Sequence, residues 1–226
     1  MTSPVQRACF VAMVGLPGAG KSALAEALAE RLGGVVLSKD RVRAALFPAG
    51  TTDYSQAQDD FCMSVILEAT QRIAAARRVP FIFFDGRTFW RTRQVQQIAE
   101  AAAAAGAELR ILHLHCPDAL ALERIAKDRD QHPAGNRNAE LYFRVKSHFE
   151  PITLPKLDVD TSRPLEECVA KCIKFLTTET QKHWERPRLA KGKNKPERST
   201  QAPLVITAVI MIFAVCAIFG PLLGAQ

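Results

Sequence analysis

The chain reads as an α/β protein, a parallel sheet covered on both faces by helices. Two observations predict that class. Strand-like and helix-like segments alternate from about residue 8 to residue 178, the pattern of repeated strand-helix-strand units. The first alternation encloses GLPGAGKS, Gly15 to Ser22, which fits GxxxxGK[ST] at every fixed position. A hydrophobic content of 48% in 226 residues allows one core of ordinary size plus an appendage.

The first strand, residues 8 to 14, is a short apolar run. A signal peptide is its rival, with Arg7 as a thin positive flank, but no small-residue cleavage site closes the run and an amphipathic segment follows it. The other strands are VVLS (35 to 38), PFIFFD (80 to 85), LRILHLHC (109 to 116) and KLDVD (156 to 160). Apolar spacing predicts helices over 21 to 33, 55 to 78, 91 to 105, 118 to 130, 138 to 149 and 164 to 178. Strand alternation sends neighbours in HLHC, His113 to Cys116, to opposite faces, which argues against adjacent metal ligands there. The six cysteines lack CxxC pairs and disulfide-scaffold density, and point to a reducing compartment. Cys168 and Cys172, one turn apart beside Val169, Ile173 and Leu176, read as core.

Past residue 180 the alternation stops. Residues 1 to 180 form the predicted domain, 181 to 202 a linker and 203 to 225 an apolar segment. The linker holds most of the formal net charge of +7: seven basic residues against two acidic between Lys182 and Arg198. The 203 to 225 segment carries no charge, and as a helix would be about 30 Å long, enough to cross a bilayer. It is expected to be a transmembrane tail anchor. The basic flank then places the domain on the cytoplasmic side and lets 182 to 198 meet anionic lipid headgroups. With the charge assigned to a membrane surface, nucleic acid is disfavoured as a partner.

GLPGAGKS lies between a strand and a helix, the context of a phosphate loop. Gly15, Gly18 and Gly20 let backbone N–H groups converge on phosphate oxygens, and the following helix adds its positive end. Lys21 reaches the β and γ phosphates, and the Ser22 hydroxyl is a Mg²⁺ ligand. The predicted nucleotide site is Gly15, Leu16, Pro17, Gly18, Ala19, Gly20, Lys21, Ser22 and Ala23, with ATP and Mg²⁺ as cofactors and GTP left open.

Other motifs favour phosphoryl transfer. LSKDRVR, Leu37 to Arg43, ends the second strand, at the sheet edge where ligands gather. Asp40 is placed to accept a proton from a hydroxyl and Arg43 to hold an anion; the alternative makes Ser38 or Asp40 only the cap of a short helix. Asp85 ends FIFFD at the Walker B position, a second metal ligand, with a turn-capping carboxylate as the alternative. Arg87, Arg91 and Arg93 follow, at least one of them a candidate for substrate. Arg124, Lys127, Arg129 and Arg137 surround a Pro/Gly break and suit a lid over the nucleotide, or else a solvated face. DVDTSRP, 158 to 164, is placed to wrap a base.

Taken together, the phosphate loop, KDRVR, FFDGRT, the Arg-rich lid, FEP (Phe149 to Pro151) and DVDTS resemble the small P-loop kinases of the AAA-33 or zeta-toxin-like group, relatives of polynucleotide kinase and gluconate kinase. The resemblance covers about residues 8 to 178. It implies a P-loop NTPase with an adenylate-kinase-like core and a five-stranded parallel sheet of order 2-3-1-4-5. It further implies Asp40 as general base, Arg43 near the acceptor, Asp85 near the metal, and Arg124 and Arg129 in the lid. The leading expectation is a membrane-anchored, ATP-dependent kinase acting on a hydroxyl of a small metabolite. The alternatives are a polynucleotide 5′-hydroxyl kinase and a nucleotide-gated membrane module that transfers nothing.

Overall fold

The structure, a computed structural model, describes residues 8–48, 50–128 and 134–178. Among these residues five strands form one sheet: β1 (Cys9–Val14), β2 (Val35–Ser38), β3 (Phe81–Asp85), β4 (Glu108–His115) and β5 (Leu157–Asp160). Their spatial order is β2-β3-β1-β4-β5, every pairing parallel. Among the described residues seven helices accompany them: α1 (Lys21–Leu32), α2 (Lys39–Leu46), α3 (Gln56–Ala76), α4 (Thr92–Ala105), α5 (Asp118–Lys127), α6 (Ala139–Ser147) and α7 (Leu165–Thr177).

The period of the strands explains why the sheet needs cover on both sides. All six residues of β1 are buried. Cys9, Val11 and Met13 face α1 and α7, joining Leu24, Leu28, Val169 and Cys172 in one core. Phe10, Ala12 and Val14 face the opposite core, with Met63 and Ile66 of α3 and Val95 and Ile98 of α4. Side chains two apart share a face, so an unbroken apolar strand must divide between two layers. Each large side chain withdrawn from water stabilises the fold by about 1.5–3 kcal/mol. Burial raises the Cys172 thiol to about 12, which keeps it an inert packing group.

The sequence-based expectation holds for the sheet order and for every strand within one residue at each end. It departs at α2. KDRVRAAL is a helix, yet its buried residues are Lys39 and Arg43; a helix whose inner face is charged shows no apolar spacing. The segment expected to be helical to residue 130 ends at Lys127, with Asp128 as its C-cap. Among the described residues no helix is long and apolar enough to cross a membrane. Arg129, the linker over 181–202 and the segment 203–225 lie outside the described residues.

The parallel arrangement brings the C-terminal ends of β1, β2 and β3 to one edge. There β1 runs into the glycine-rich loop, Ser38 of β2 lies in register with Asp85 of β3, and β1 separates β3 from β4 at the point where strand order reverses.

Candidate functional site

The loop from Gly15 to Gly20 is held by bonds to its carbonyls. Gly18 O accepts from Arg124 Nη1 at 3.4 Å, and Ala19 O from the Thr161 hydroxyl at 3.1 Å. Gly15 O and Leu16 O accept from Lys21 Nζ at 2.9 and 2.8 Å. Gly15 N and Ala19 N donate to Thr88 O and Leu16 O; with the loop oxygens tied back, the remaining amides are the donors a phosphate would use. Helix α1 begins at Lys21 behind Gly20 in the left-handed region, so the first N–H groups of the helix have no intrahelical acceptor. Glycine is required at two points. A Cβ on Gly15, at φ +148°, would sit 2.3 Å from Leu114 O, and one on Gly18, at φ +77°, 2.4 Å from Ala121 O.

Gly15, Leu16 and Ala19 form the back of the loop, Leu16 packing on Ala121, Ile125 and Tyr142. Pro17, Gly18, Gly20, Lys21, Ser22 and Ala23 line a cavity of about 310 Å³. Burial pushes Lys21 down to about 8, against the pull of the Asp85 carboxylate.

Asp85 is 4% exposed and reaches the same cavity. Its Oδ1 is buried without a hydrogen-bond partner. An orphaned carboxylate oxygen in a residue that shares its cavity with Ser22 at a helix start fits Mg²⁺, which takes one or two protein ligands and fills its shell with phosphate oxygens and water. Among the described residues no group of three His, Cys, Asp or Glu could hold a metal by itself, so such an ion would rely on those outside oxygens.

The opposite wall is assembled from α2, α3 and the loop after β3. Asp40 Oδ1 accepts from Arg43 Nη1 at 3.0 Å, and Lys39 Nζ lies 3.6 Å from the same oxygen. Both cations engage Oδ1, which leaves Oδ2 for a proton. Asp59 of α3 joins the group, accepting from Lys39 Nζ at 2.9 Å and from Arg43 Nη2. Burial lowers Lys39 to about 8, opposed first by Asp40. Tyr54 lies under the Arg43 guanidinium, 5.1 Å from carbon to ring centre, and its hydroxyl accepts from Gly135 N at 2.8 Å. Arg87, on the loop after β3, pairs with Asp60 at 2.7 Å.

Of the expected residues, Pro17, Gly18, Gly20, Lys21, Ser22, Ala23, Asp40, Arg43 and Asp85 thus line one cavity, Gly15, Leu16 and Ala19 stand behind the loop, and Arg124 is not in the lining. It sits on α5, bonded to Gly18 O and to Thr161 O at 2.8 Å. Helix geometry and these bonds make it a brace for the phosphate loop in this structure. From the Arg-rich segment, Arg137 and Asn136 line the cavity; burial lowers the Arg137 pKa, and Asp128 is its ion-pair partner at 3.6 Å. FEP acts on the backbone: Glu150 accepts from Thr92 N at 2.7 Å at the start of α4, and its own N–H donates to Trp90 O. Sequence reasoning missed Lys39, Tyr54 and Asp59. Lys39 had a signal, since it is four residues from Arg43 and shares its helix face. Asp59, sixteen residues beyond Arg43, had none.

Residues 10–152 match the family model AAA-33, described as an AAA domain. Solved structures with the same fold include a sugar kinase from Janibacter sp. HTCC2649, at 18% identity over 75% of this chain and 94% of that one, TM-score 0.55. The APS kinase CysC of Mycobacterium tuberculosis in complex with AMPPNP and APS aligns at 18% identity over 75% and 98%, TM-score 0.57. A gluconokinase from Sinorhizobium meliloti 1021 aligns at 19% over 77% and 93%, TM-score 0.52. At these identities the likeness is one of fold. No protein of curated function matches the chain in sequence.

Proposed function

The chain belongs to the AAA-33 family of AAA domains, and on that premise we propose that it is a kinase transferring the γ-phosphate of ATP to a hydroxyl of a small metabolite. One observation carries the proposal: Asp40, braced by Arg43 and Lys39, shares a cavity with the phosphate loop and Asp85. A nucleotide switch needs no acceptor-side base. The structural neighbours named as kinases, one of them bound to AMPPNP, support the same chemistry.

In this mechanism the loop amides and the α1 N-terminus hold the triphosphate, and Lys21 carries positive charge to the migrating group. Ser22 and Asp85 would hold Mg²⁺, which when bound neutralises charge on the phosphates. Asp40 Oδ2 orients the acceptor hydroxyl and takes its proton as the oxygen attacks phosphorus, while Arg43 and Lys39 keep the carboxylate fixed. Arg124 acts through the loop it braces.

Asp40→Asn keeps the shape and removes the base. Incubation with labelled ATP and a cell metabolite extract should show phosphorylated product falling by about 10²–10⁴-fold, with AMPPNP affinity unchanged. Full turnover in this variant would remove Asp40 from the mechanism, and ADP without a phosphorylated product would favour the switch. The uncharged segment 203–225 supports membrane attachment as a further part of the proposal. Its check is fractionation of the full chain, which should resist carbonate extraction; release into the soluble fraction would exclude an anchor.

A further inference from the structure

Arg87 is 4% exposed, yet among the described residues only Asp60 hydrogen-bonds its guanidinium, through Nη2. Its Nε and Nη1 are buried with no hydrogen bond. Asp60 is itself 41% exposed, so water competes for the one counter-charge that Arg87 has. A guanidinium brings five donors, and donors of a buried cation left unmade are among the costliest defects a fold carries. Arg87 has one of its three guanidinium nitrogens paired, and it lines the cavity.

Its neighbours deepen the need for an anion. Arg91 and Arg93 add positive potential at Arg87, and Arg87 in turn with Arg43 acts on Lys39. The location decides which anion. The phosphate loop has its own amides and Lys21 on the β1–α1 side. Arg87 follows Gly86, and a Cβ on Gly86 would lie 2.8 Å from both Lys39 N and Asp40 N. The Gly86 backbone therefore abuts the start of α2, the side that carries the proposed base, and Arg87 is the next residue.

We propose that Arg87 anchors an oxoanion group of the acceptor, so that the substrate is a small hydroxylated carboxylate, phosphate ester or sulfate whose hydroxyl then reaches Asp40. The inference rests on the kinase reading above and names its substrate class. Nη1 donates to the oxoanion, Asp60 keeps the guanidinium plane in place through Nη2, and the charge held at Arg87 sets which hydroxyl of the acceptor faces Oδ2 of Asp40.

The test uses the purified full-length chain saturated with AMPPNP and Mg²⁺, titrated calorimetrically with matched probes: gluconate against glucose, glycerol 3-phosphate against glycerol, and free sulfate. At least one anionic probe should bind tenfold or more tightly than its neutral partner. Arg87→Gln should erase that preference while AMPPNP affinity stays within twofold, which also reports that the variant is folded. Asp60→Asn supplies the second arm: an anchor keeps or gains anion affinity when its competitor is neutralised, whereas a purely structural pair loses it in both variants. Equal binding of charged and neutral probes, no saturable anion binding, or loss of AMPPNP binding in place of anion binding would each overturn the proposal. The two readings fail separately. A phosphorylated neutral sugar from the extract would sink the anchor and leave the kinase; anions bound through Arg87 with no transfer would do the reverse.

Discussion

The two walls of the cavity are built on opposite plans. On the phosphate side, eight consecutive residues supply the geometry, and the loop carbonyls are tied off by Lys21, Arg124 and Thr161. On the acceptor side, Lys39, Asp40, Arg43, Asp59 and Arg87 come from three segments and meet only in the folded chain, with donors of Arg43 and Arg87 left unmade. A saturated, local site fits a ligand common to a whole fold. A discontinuous, unsaturated one is where a chain adapts to its own substrate.

The sharpest break of the phosphate side is Gly15→Ala. The new Cβ meets a backbone oxygen at 2.3 Å at a φ of +148°, and strain plus overpacking should cost about 3–5 kcal/mol. Denaturant unfolding should show that loss, and calorimetry an AMPPNP affinity reduced more than a hundredfold. Gly33→Ala is the control. It has φ +70° but nothing within 4 Å, and should cost about 1 kcal/mol with nucleotide binding intact. Equal effects of the two would mean that the loop relaxes around its intruder.

Asp59→Asn attacks the other wall. It removes the counter-charge that Lys39 and Arg43 share with Asp40. The two cations then crowd Asp40 and compete for its proton-accepting oxygen. Transfer should fall by about 10–100-fold, with AMPPNP affinity within twofold. If nucleotide binding falls as far as transfer, the walls are one cooperative unit and the contrast fails.

That contrast also separates what was legible in the chain from what was not. The strands and the phosphate loop rest on local signals, apolar runs of strand length and glycines at fixed spacing, while the sheet order followed from the family resemblance. Arg43 was read from its motif, but Lys39 and the helix that carries both were hidden because α2 buries charge, so the apolar period that reveals a helix is missing. Arg87 stands among Arg91 and Arg93 in one basic run, and nothing in that run marks it as the buried member that pairs with Asp60 of α3. Arg124 misled in the other direction. Its place in a basic segment suggested mobility, whereas two carbonyls hold it against the loop.

A smaller effect comes from pH. Lys21 is held near 8 by burial, below its value of 10.5 in the unfolded chain, so this group makes folding more favourable as pH rises from 8 to 10.5. Triphosphate binding has the opposite sign, because it needs the protonated amine. AMPPNP affinity should be flat below pH 7.5 and weaker by about tenfold at pH 9, where about a tenth of the amine remains charged. The protein should thus bind nucleotide less well in the window where its own stability grows. An affinity constant to pH 9.5 would show that the ammonium contributes nothing the amides do not.

The smallest change tests how much redundancy the phosphate side contains. Thr161→Val is close to isosteric and removes the hydroxyl that donates to Ala19 O and accepts from Arg124. The residue is 8% exposed, so the orphaned carbonyl should cost about 1–2 kcal/mol in unfolding. Gly18 O and Thr161 O still hold Arg124, and the Lys21 contacts to Gly15 and Leu16 are untouched. The loop therefore keeps its shape, and AMPPNP affinity should drop by only about threefold. A loss on the scale of Gly15→Ala would locate the rigidity of the loop in this single hydroxyl, because a brace with three independent ties cannot fail when one is cut.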